Sequence, residues 1–315
     1  MRIGWVSFHA EAIPALQAVT AAGHDVVGCV TLTPEAAAKR SGVHDPAPLC
    51  AARGIPVHRT KHVNDPETVA FLRGLHLDLL VVLGWSQLLS EEVLKLPRVG
   101  TVGAHASLLP RGRGRAPVNW ALLRGWDKTG NTLMWLAPGV DEGDVIAQRE
   151  IPLTPFDTCG TVYERVAATN AEMLTWLLDE LAAGRVPRTP QPHVDDEPLP
   201  GRKPADGLIP WHAPAEDVYA LVRAVTRPYP GAFSYLDGAR HVVWSAALLP
   251  LRSRLGRPGE VIGPVYSPEE AACGQAVACG EGAVVLLEVE DEAGRVLRGR
   301  ELATAGWQGR GWADA

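Results

Sequence analysis

The chain has little that would staple, anchor or charge it. It holds five cysteines, Cys29, Cys50, Cys159, Cys273 and Cys279, and no two are spaced Cys-x-x-Cys. An odd count without that spacing fits reduced thiols in the cytosol better than a disulfide framework. No run of 18 apolar residues occurs, and Met1-Arg2-Ile3-Gly4-Trp5-Val6 leads straight into a strand-like segment rather than a leader. A cytoplasmic protein with no membrane partner is expected. None of the ten His forms a His-x-x-x-His pair on a helix-like segment, so no metal is expected. There is no Gly-Lys-Ser/Thr phosphate loop. No Gly-x-Gly-x-x-Gly follows the first strand, where Phe8-His9-Ala10-Glu11 stands instead, and this disfavours a dinucleotide cofactor. Positive charge is not in excess, with 30 Lys+Arg against 36 Asp+Glu and a formal net charge of -6. That argues against a nucleic acid or membrane surface held by charge, although a local basic patch stays compatible with it.

The 315 residues are 46% hydrophobic and 21% charged, which suits one to three globular domains able to bury a full core. Strand-like and helix-like segments alternate in the first half. Residues 3–8, 26–32 and 77–83 read as buried strands, and 13–22, 47–53 and 66–75 as helices, the last with Asp65 at its N-cap. Such alternation predicts parallel pairing in an α/β, Rossmann-like open sheet. Ligands then sit beyond the carboxyl ends of the strands. The loops after 77–83 and after 100–104 fall at one rim, and the loop after 132–136 is expected there too. A long amphipathic helix covers 161–181. Six prolines between Arg185 and Pro204 mark a connector. Beyond one more helix, short strands between turns predict a small β-barrel or sandwich. The domain boundaries drawn are 1–190, a linker over 191–204, and 205–315.

The chemistry concentrates in two segments. One reads Gly103-Ala104-His105-Ala106-Ser107-Leu108-Leu109-Pro110, then Arg111-Gly112-Arg113-Gly114-Arg115-Ala116-Pro117. The other is Gly139-Val140-Asp141-Glu142-Gly143-Asp144. A lone loop His is more often structural than catalytic, and an Asp beside Gly is usually a turn residue. Here both follow strand-like runs, in order with Thr129-Gly130-Asn131-Thr132, and chance is a poor account of the whole series. His105 and Asp144 form a candidate proton-handling pair. The three arginines of 111–115 suit a phosphate or a solvated loop equally.

The series resembles the folate-dependent formyltransferases, whose signature is Asn-x-His-x-Ser-Leu-Leu-Pro followed by Asp-x-Gly-Asp. The likeness covers essentially the whole chain and runs on through Gly201-Arg202-Lys203-Pro204 and Arg227-Pro228-Tyr229-Pro230-Gly231. Sugar N-formyltransferases are the nearest in pattern. The resemblance implies a Rossmann-like catalytic domain, a C-terminal OB-like β-barrel, and 10-formyltetrahydrofolate as one-carbon donor. It implies folate contacts from Gly84, Trp85, Gln87, Leu88 and Leu89, and from Ala137, Gly139, Val140 and Asp141. It places Ser107, Leu109, Pro110, Arg113, Arg115, Asn119 and Trp120 toward the acceptor. His105 stabilises the oxyanion or shuttles a proton, and Asp144 orients it.

The signature's Asn is Gly103 here. Its amide would donate to the oxyanion, and losing one such donor costs about 10²–10³ in rate. Asn119 or Asn131 is the polar substitute in sequence reach. A Gly also leaves room for another acyl or formimidoyl group. An inactive folate- or sugar-nucleotide-binding protein is the third reading. A tRNA acceptor calls for a basic C-terminal domain. Residues 201–315 instead hold 12 Lys+Arg against 14 Asp+Glu. The expected acceptor is therefore a small-molecule amine, on an amino sugar or a natural product, with no nucleic-acid partner and a homodimer left open.

Overall fold

The computed structural model describes residues 1–249 and 251–313. Pro250, and the Asp314 and Ala315 that end the expected second domain, lie outside the described residues. The chain forms two compact units. The first is Met1–Val118, Asp127–Leu153 and Thr161–Gly201, and the second Asn119–Trp126, Thr154–Gly160 and Arg202–Ala315.

The first unit is built on a seven-stranded sheet of β1 (Arg2–Val6), β2 (Asp25–Leu32), β3 (Val57–Thr60), β4 (Leu79–Val82), β5 (Gly100–His105), β6 (Lys128–Trp135) and β7 (Val145–Pro152). Their spatial order is β3-β2-β1-β4-β5-β6-β7. The helices of this half are α1 (Ile13–Ala21), α2 (Pro34–Ala37), α3 (Ala47–Ala51), α4 (Pro66–Gly74), α5 (Glu91–Leu94), α6 (Pro117–Leu123) and α7 (Cys159–Ala182). Pairing is parallel from β3 through β5. Strand β4, Leu-Leu-Val-Val, is buried at every position because both faces of a parallel sheet are covered. Leu79 and Val81 join Trp5, Leu16 of α1 and Met173 of α7 in one core. Leu80 and Val82 join Val69 and Leu72 of α4 in the other. Each such side chain contributes about 1.5–3 kcal/mol of burial. Asp65 precedes α4 in extended conformation, but its carboxylate does not cap the helix. It accepts from Thr60 Oγ1 and from the His62 amide instead.

Strands β6 and β7 reverse the pattern: β5–β6 and β6–β7 are antiparallel. His105 therefore faces Thr132, while Trp135 at the end of β6 lies opposite Val102. The loop after β6 leaves the sheet at the Val102 level, not at the rim where β4 and β5 end. The loop meets the shared rim only by turning back, where Asp141 comes to His105.

Residues 185–201 are not a free connector. Thr189 bridges Val145, the Trp135 indole donates to Pro187 O, and Leu199 bridges Gly114. Prolines cannot donate, so this segment is tied down through the Pro187 carbonyl and through the residues between the prolines.

The second unit carries α8 (Ala215–Val225), β8 (Ala232–Leu236), β9 (Ala239–Leu249), β10 (Val261–Val265), β11 (Gly274–Ala278), β12 (Ala283–Glu290), β13 (Val296–Arg298), α9 (Gly299–Ala303) and β14 (Trp312–Ala313). The strands run antiparallel in the order β10-β11-β12-β9-β8-β14, with β13 on β12. Asp237 and Gly238, both at positive φ, make the tight turn between β8 and β9. The ladder is not continuous all round. Its ends meet through an isolated Glu260–Gly311 bridge and the Trp312 N–H to Gly259 O bond. The expected barrel is thus an antiparallel sheet with bridged ends. Trp211, Trp307 and Trp312 meet in a cluster, Trp307 edge-on to Trp312, and the Trp211 indole donates to Ser234 Oγ.

Candidate active site

His105 ends β5 and is 9% exposed. Its Nε2 lies 2.7 Å from Gly112 O. A carbonyl oxygen only accepts, so Nε2 carries the hydrogen in this geometry. The other nitrogen, Nδ1, lies 3.5 Å from Asp141 Oδ2. That is longer than a hydrogen bond, yet a proton gained at Nδ1 faces a carboxylate. Asp141 is held for this: it sits at φ +53, and its Oδ2 accepts the Gly114 N–H at 2.9 Å.

Asp144 is not the partner of His105. Its Oδ2 lies 3.1 Å from Arg188 Nη1, and its backbone O accepts from Trp135 N. The pairing expected of Asp144 is made by Asp141, because the 136–144 loop folds back to the His105 level before β7 begins at Val145.

The loop is pinned from the proline-rich segment. Gln191 Nε2 donates to Asp141 O at 2.9 Å and to Gly143 O at 2.6 Å. Gly112 and Gly114 are pinned too: Leu199 N donates to Arg113 O, and Arg115 N to Leu199 O. At Gly114, with φ +105, a Cβ would lie 2.5 Å from Leu199 backbone, so only glycine fits. Sequence reasoning passed over Gln191 and Leu199. The available signal was Pro190-Gln191-Pro192, one amide flanked by prolines that hold extended backbone and donate nothing.

Gly103 shares the His105 face of β5. The space at Gly103 is not open for a larger acyl group, since a Cβ there would lie 2.8 Å from Leu136 Cδ2. Leu136 fills the position. Neither proposed substitute donor is available. Asn131 is buried and its Nδ2 donates to Asn170 Oδ1 and Thr169 Oγ1. Asn119 Nδ2 donates to Ala224 O within the second unit.

The remaining expected residues fall into five groups. Ser107 and Leu109 are buried and hold their loop. The Ser107 hydroxyl donates to Arg111 O, and Leu109 N to Thr132 Oγ1. Pro110 follows, with Leu109 O accepting from Gln148. Asn119 and Trp120 belong to the second unit. Arg113 is largely buried, with Nη1 3.5 Å from Glu142 Oε1 and Nε without an acceptor. Exposed Arg115 lies over Gly201. In the loop after β4, Gly84 takes φ +59, Trp85 meets Phe8 edge-on, and Leu89 joins the second core. Gln87 spends its side chain on Val63 N and Lys61 O, so only its backbone is left for a ligand. Leu88 is 63% exposed. In the loop after β6, Ala137 and Gly139 precede Val140, which is 38% exposed, and Gly139 lies under the Glu142 carboxylate. Among the described residues, no group of three His, Cys, Asp or Glu could hold a metal. No helix among them is long and apolar enough to cross a membrane.

A buried His105 beside a half-buried Asp141, with glycine-rich loops around them, makes a site that can pass a proton. Comparison with known proteins is consistent with this. A formyl transferase family model matches residues 6–178, and a formyl transferase C-terminal domain model matches residues 202–305. The chain belongs to the formyl transferase family. It is 35% identical over 300 residues to a methionyl-tRNA formyltransferase of Moorella thermoacetica, covering 94% of both chains. It is 37% identical over 279 residues to one of Symbiobacterium thermophilum, covering 88% of this chain and 83% of the relative. The solved structure of HypX from Aquifex aeolicus with tetrahydrofolic acid matches at TM-score 0.66 and 21% identity. That match covers 95% of this chain and 45% of HypX, and it speaks to fold alone.

These relatives overturn one expectation. A small-molecule acceptor with no nucleic-acid partner was inferred from a net charge summed over residues 201–315. The sum averages away local patches, and the similar proteins are named for methionyl-tRNA.

Proposed function

We propose that this chain moves a formyl group from a 10-formyl reduced folate to the amine of an aminoacyl-tRNA, methionyl-tRNA being the acceptor. The observation that carries the reading is the identity to methionyl-tRNA formyltransferases, which runs through both units. The folate part follows the formyl transferase family match, and HypX, a protein of like fold, is solved with tetrahydrofolic acid. Exposed Leu88 and Val140, on the two loops assigned to the folate, suit the faces of a flat ring.

In the transfer the attacking amine forms a bond to the formyl carbon and sheds a proton. The carbon–N10 bond breaks, and N10 takes up a proton as it leaves. His105 is the group that handles these protons. Asp141 receives the charge that appears on the ring when Nδ1 is protonated. Gly112 O fixes the ring orientation. The Gln191 bonds hold Asp141 in reach, so reorganisation during the reaction is small.

The test is a transfer assay with 10-formyltetrahydrofolate and, in parallel, methionyl-tRNA, uncharged tRNA and a nucleotide-linked amino sugar. After hydrolysis of the ester, mass spectrometry seeks formylmethionine. Formyl on methionine from the charged tRNA alone is the expected result. Formyl on the amino sugar and none on methionine would sink the acceptor; no transfer to any amine would sink the reaction.

A further inference from the structure

The second unit's charge balance hides a local exception. Trp120 lies on α6 and Arg124 one turn beyond it. The Arg124 guanidinium sits 5.3 Å from the Trp120 ring centre and 5.9 Å from that of Trp126. Arg202 lies 5.3 Å from the same Trp120 ring. Arg202, Trp120, Arg124 and Trp126 therefore form a ladder of alternating cations and aromatic rings, with Lys203 next in the chain. Some arginines of this unit are paired with a carboxylate, as Arg227 is with Glu288, Arg300 with Glu270 and Arg310 with Asp237. Among the described residues, Arg124 and Arg202 have no carboxylate within ion-pair distance. Arg202 donates instead to the backbone O of Asp206 at 2.7 Å. The one carboxylate nearby, that of Asp206, accepts the Lys203 backbone N–H.

We infer that this ladder is a docking surface for RNA. The inference rests on the acceptor reading above and goes further, in naming where the second unit grips that acceptor. Contact with the indoles restrains the two arginine side chains, so less side-chain freedom remains to be lost on binding. A guanidinium fixed by its face keeps its N–H edge for a phosphate, which it meets in bidentate fashion. A planar base adds to such a ladder by stacking on an indole or guanidinium face. A polyanion that carries planar rings matches both halves of the ladder. A lipid surface would use only the charge, and an acidic peptide would leave the stacking unused.

The experiment uses the full chain with a tRNA transcript. Fluorescence anisotropy measures affinity across salt concentrations, and formylation of methionyl-tRNA gives kcat and KM separately. Arg124→Gln and Arg202→Gln should each weaken binding several-fold and flatten the log–log salt slope by about 1. KM should rise while kcat at saturation holds. Arg124→Lys keeps the charge and should keep the slope while losing affinity through the stack. Arg73→Gln, on an exposed arginine paired with Glu92 in the first unit, should change nothing. If the wild type formylates methionyl-tRNA but the Arg124→Gln/Arg202→Gln protein binds with unchanged affinity and slope, the ladder inference falls and the acceptor reading stands. If the wild type formylates another amine and has no salt-dependent affinity for the transcript, both fall together.

Discussion

Gly103→Asn separates what this site lacks from what fills it. The substitution adds an amide where the family signature has one. The Asn Cβ would meet Leu136 Cδ2 at 2.8 Å and Leu136 Cγ at 3.1 Å. The nearer contact is about 0.7 Å inside optimal carbon–carbon separation. Position 103 sits on β5 between β4 and β6, so the backbone has little freedom to yield. Leu136 must turn away, and the single variant should lose about 1–3 kcal/mol, the usual cost of overpacking. Leu136→Ala empties the space and on its own should cost at most about 2 kcal/mol, since the side chain is only half buried. Combined, the two changes should relieve each other. The double variant should be more stable than the sum of the singles predicts by about 1 kcal/mol or more. Denaturant unfolding of the four proteins measures this. Formyl transfer by the double variant should also rise, by up to about two orders of magnitude, if the restored amide reaches the oxyanion. Strictly additive stabilities would refute the claim that Leu136 occupies the place of the missing side chain. A folded double variant with an unchanged rate would show that position 103 does not touch the reacting oxygen.

The two acidic residues of the 141–144 loop should separate in kinetics. Asp141→Asn should lower kcat by about 10²–10⁴, as should His105→Ala, with the double variant costing less than the sum, whereas Asp144→Asn should act weakly through Arg188. Equal losses at 141 and 144 in stopped-time transfer assays would return Asp144 to the mechanism. Gln191→Ala strips the donors from Asp141 O and Gly143 O, so amide exchange across 139–144 should accelerate and kcat should fall; unchanged exchange would mean that the loop holds itself. The Arg2 backbone N–H, and then the Arg98 guanidinium, hold the Asp78 carboxyl below the usual carboxylate range. A depressed folded-state pKa stabilises above the unfolded value of about 3.9 and is lost as pH falls through the folded one. Asp78→Asn should therefore be less stable at neutral pH, with the gap to wild type closing below about pH 4; a gap of constant size in denaturant titrations would refute this.

Much of the first unit was legible because its signals are one-dimensional. The Leu77–Leu83 run gave β4, the glycines after apolar periods gave helix ends, and the His105 segment gave the strand end that carries it. What escaped was direction and reach. Apolar alternation does not distinguish a parallel strand from an antiparallel one, so β6 was placed with its end at the wrong level. Charge was legible only as a sum, which hid Arg124 and Arg202 behind acidic residues that neutralise other arginines.

The choice between Asp141 and Asp144 shows why spacing alone could not suffice. In Asp-x-Gly-Asp either carboxylate can be swung toward a His that lies 36 or 39 residues earlier. The glycine between them decides. A Cβ at Gly143 would lie 1.6 Å from Trp135 O, so the chain passes against the end of β6 where only glycine is admitted. Having passed there, the next residue must pair: Asp144 O accepts the Trp135 N–H, and β7 starts one residue later. Its side chain is then carried to Arg188 on the returning proline-rich segment. Asp141 lies before that constraint, where a positive φ turns its carboxylate onto Gly114 N and toward His105. The motif's glycine therefore ties one Asp to the edge of a strand and leaves the other beside His105.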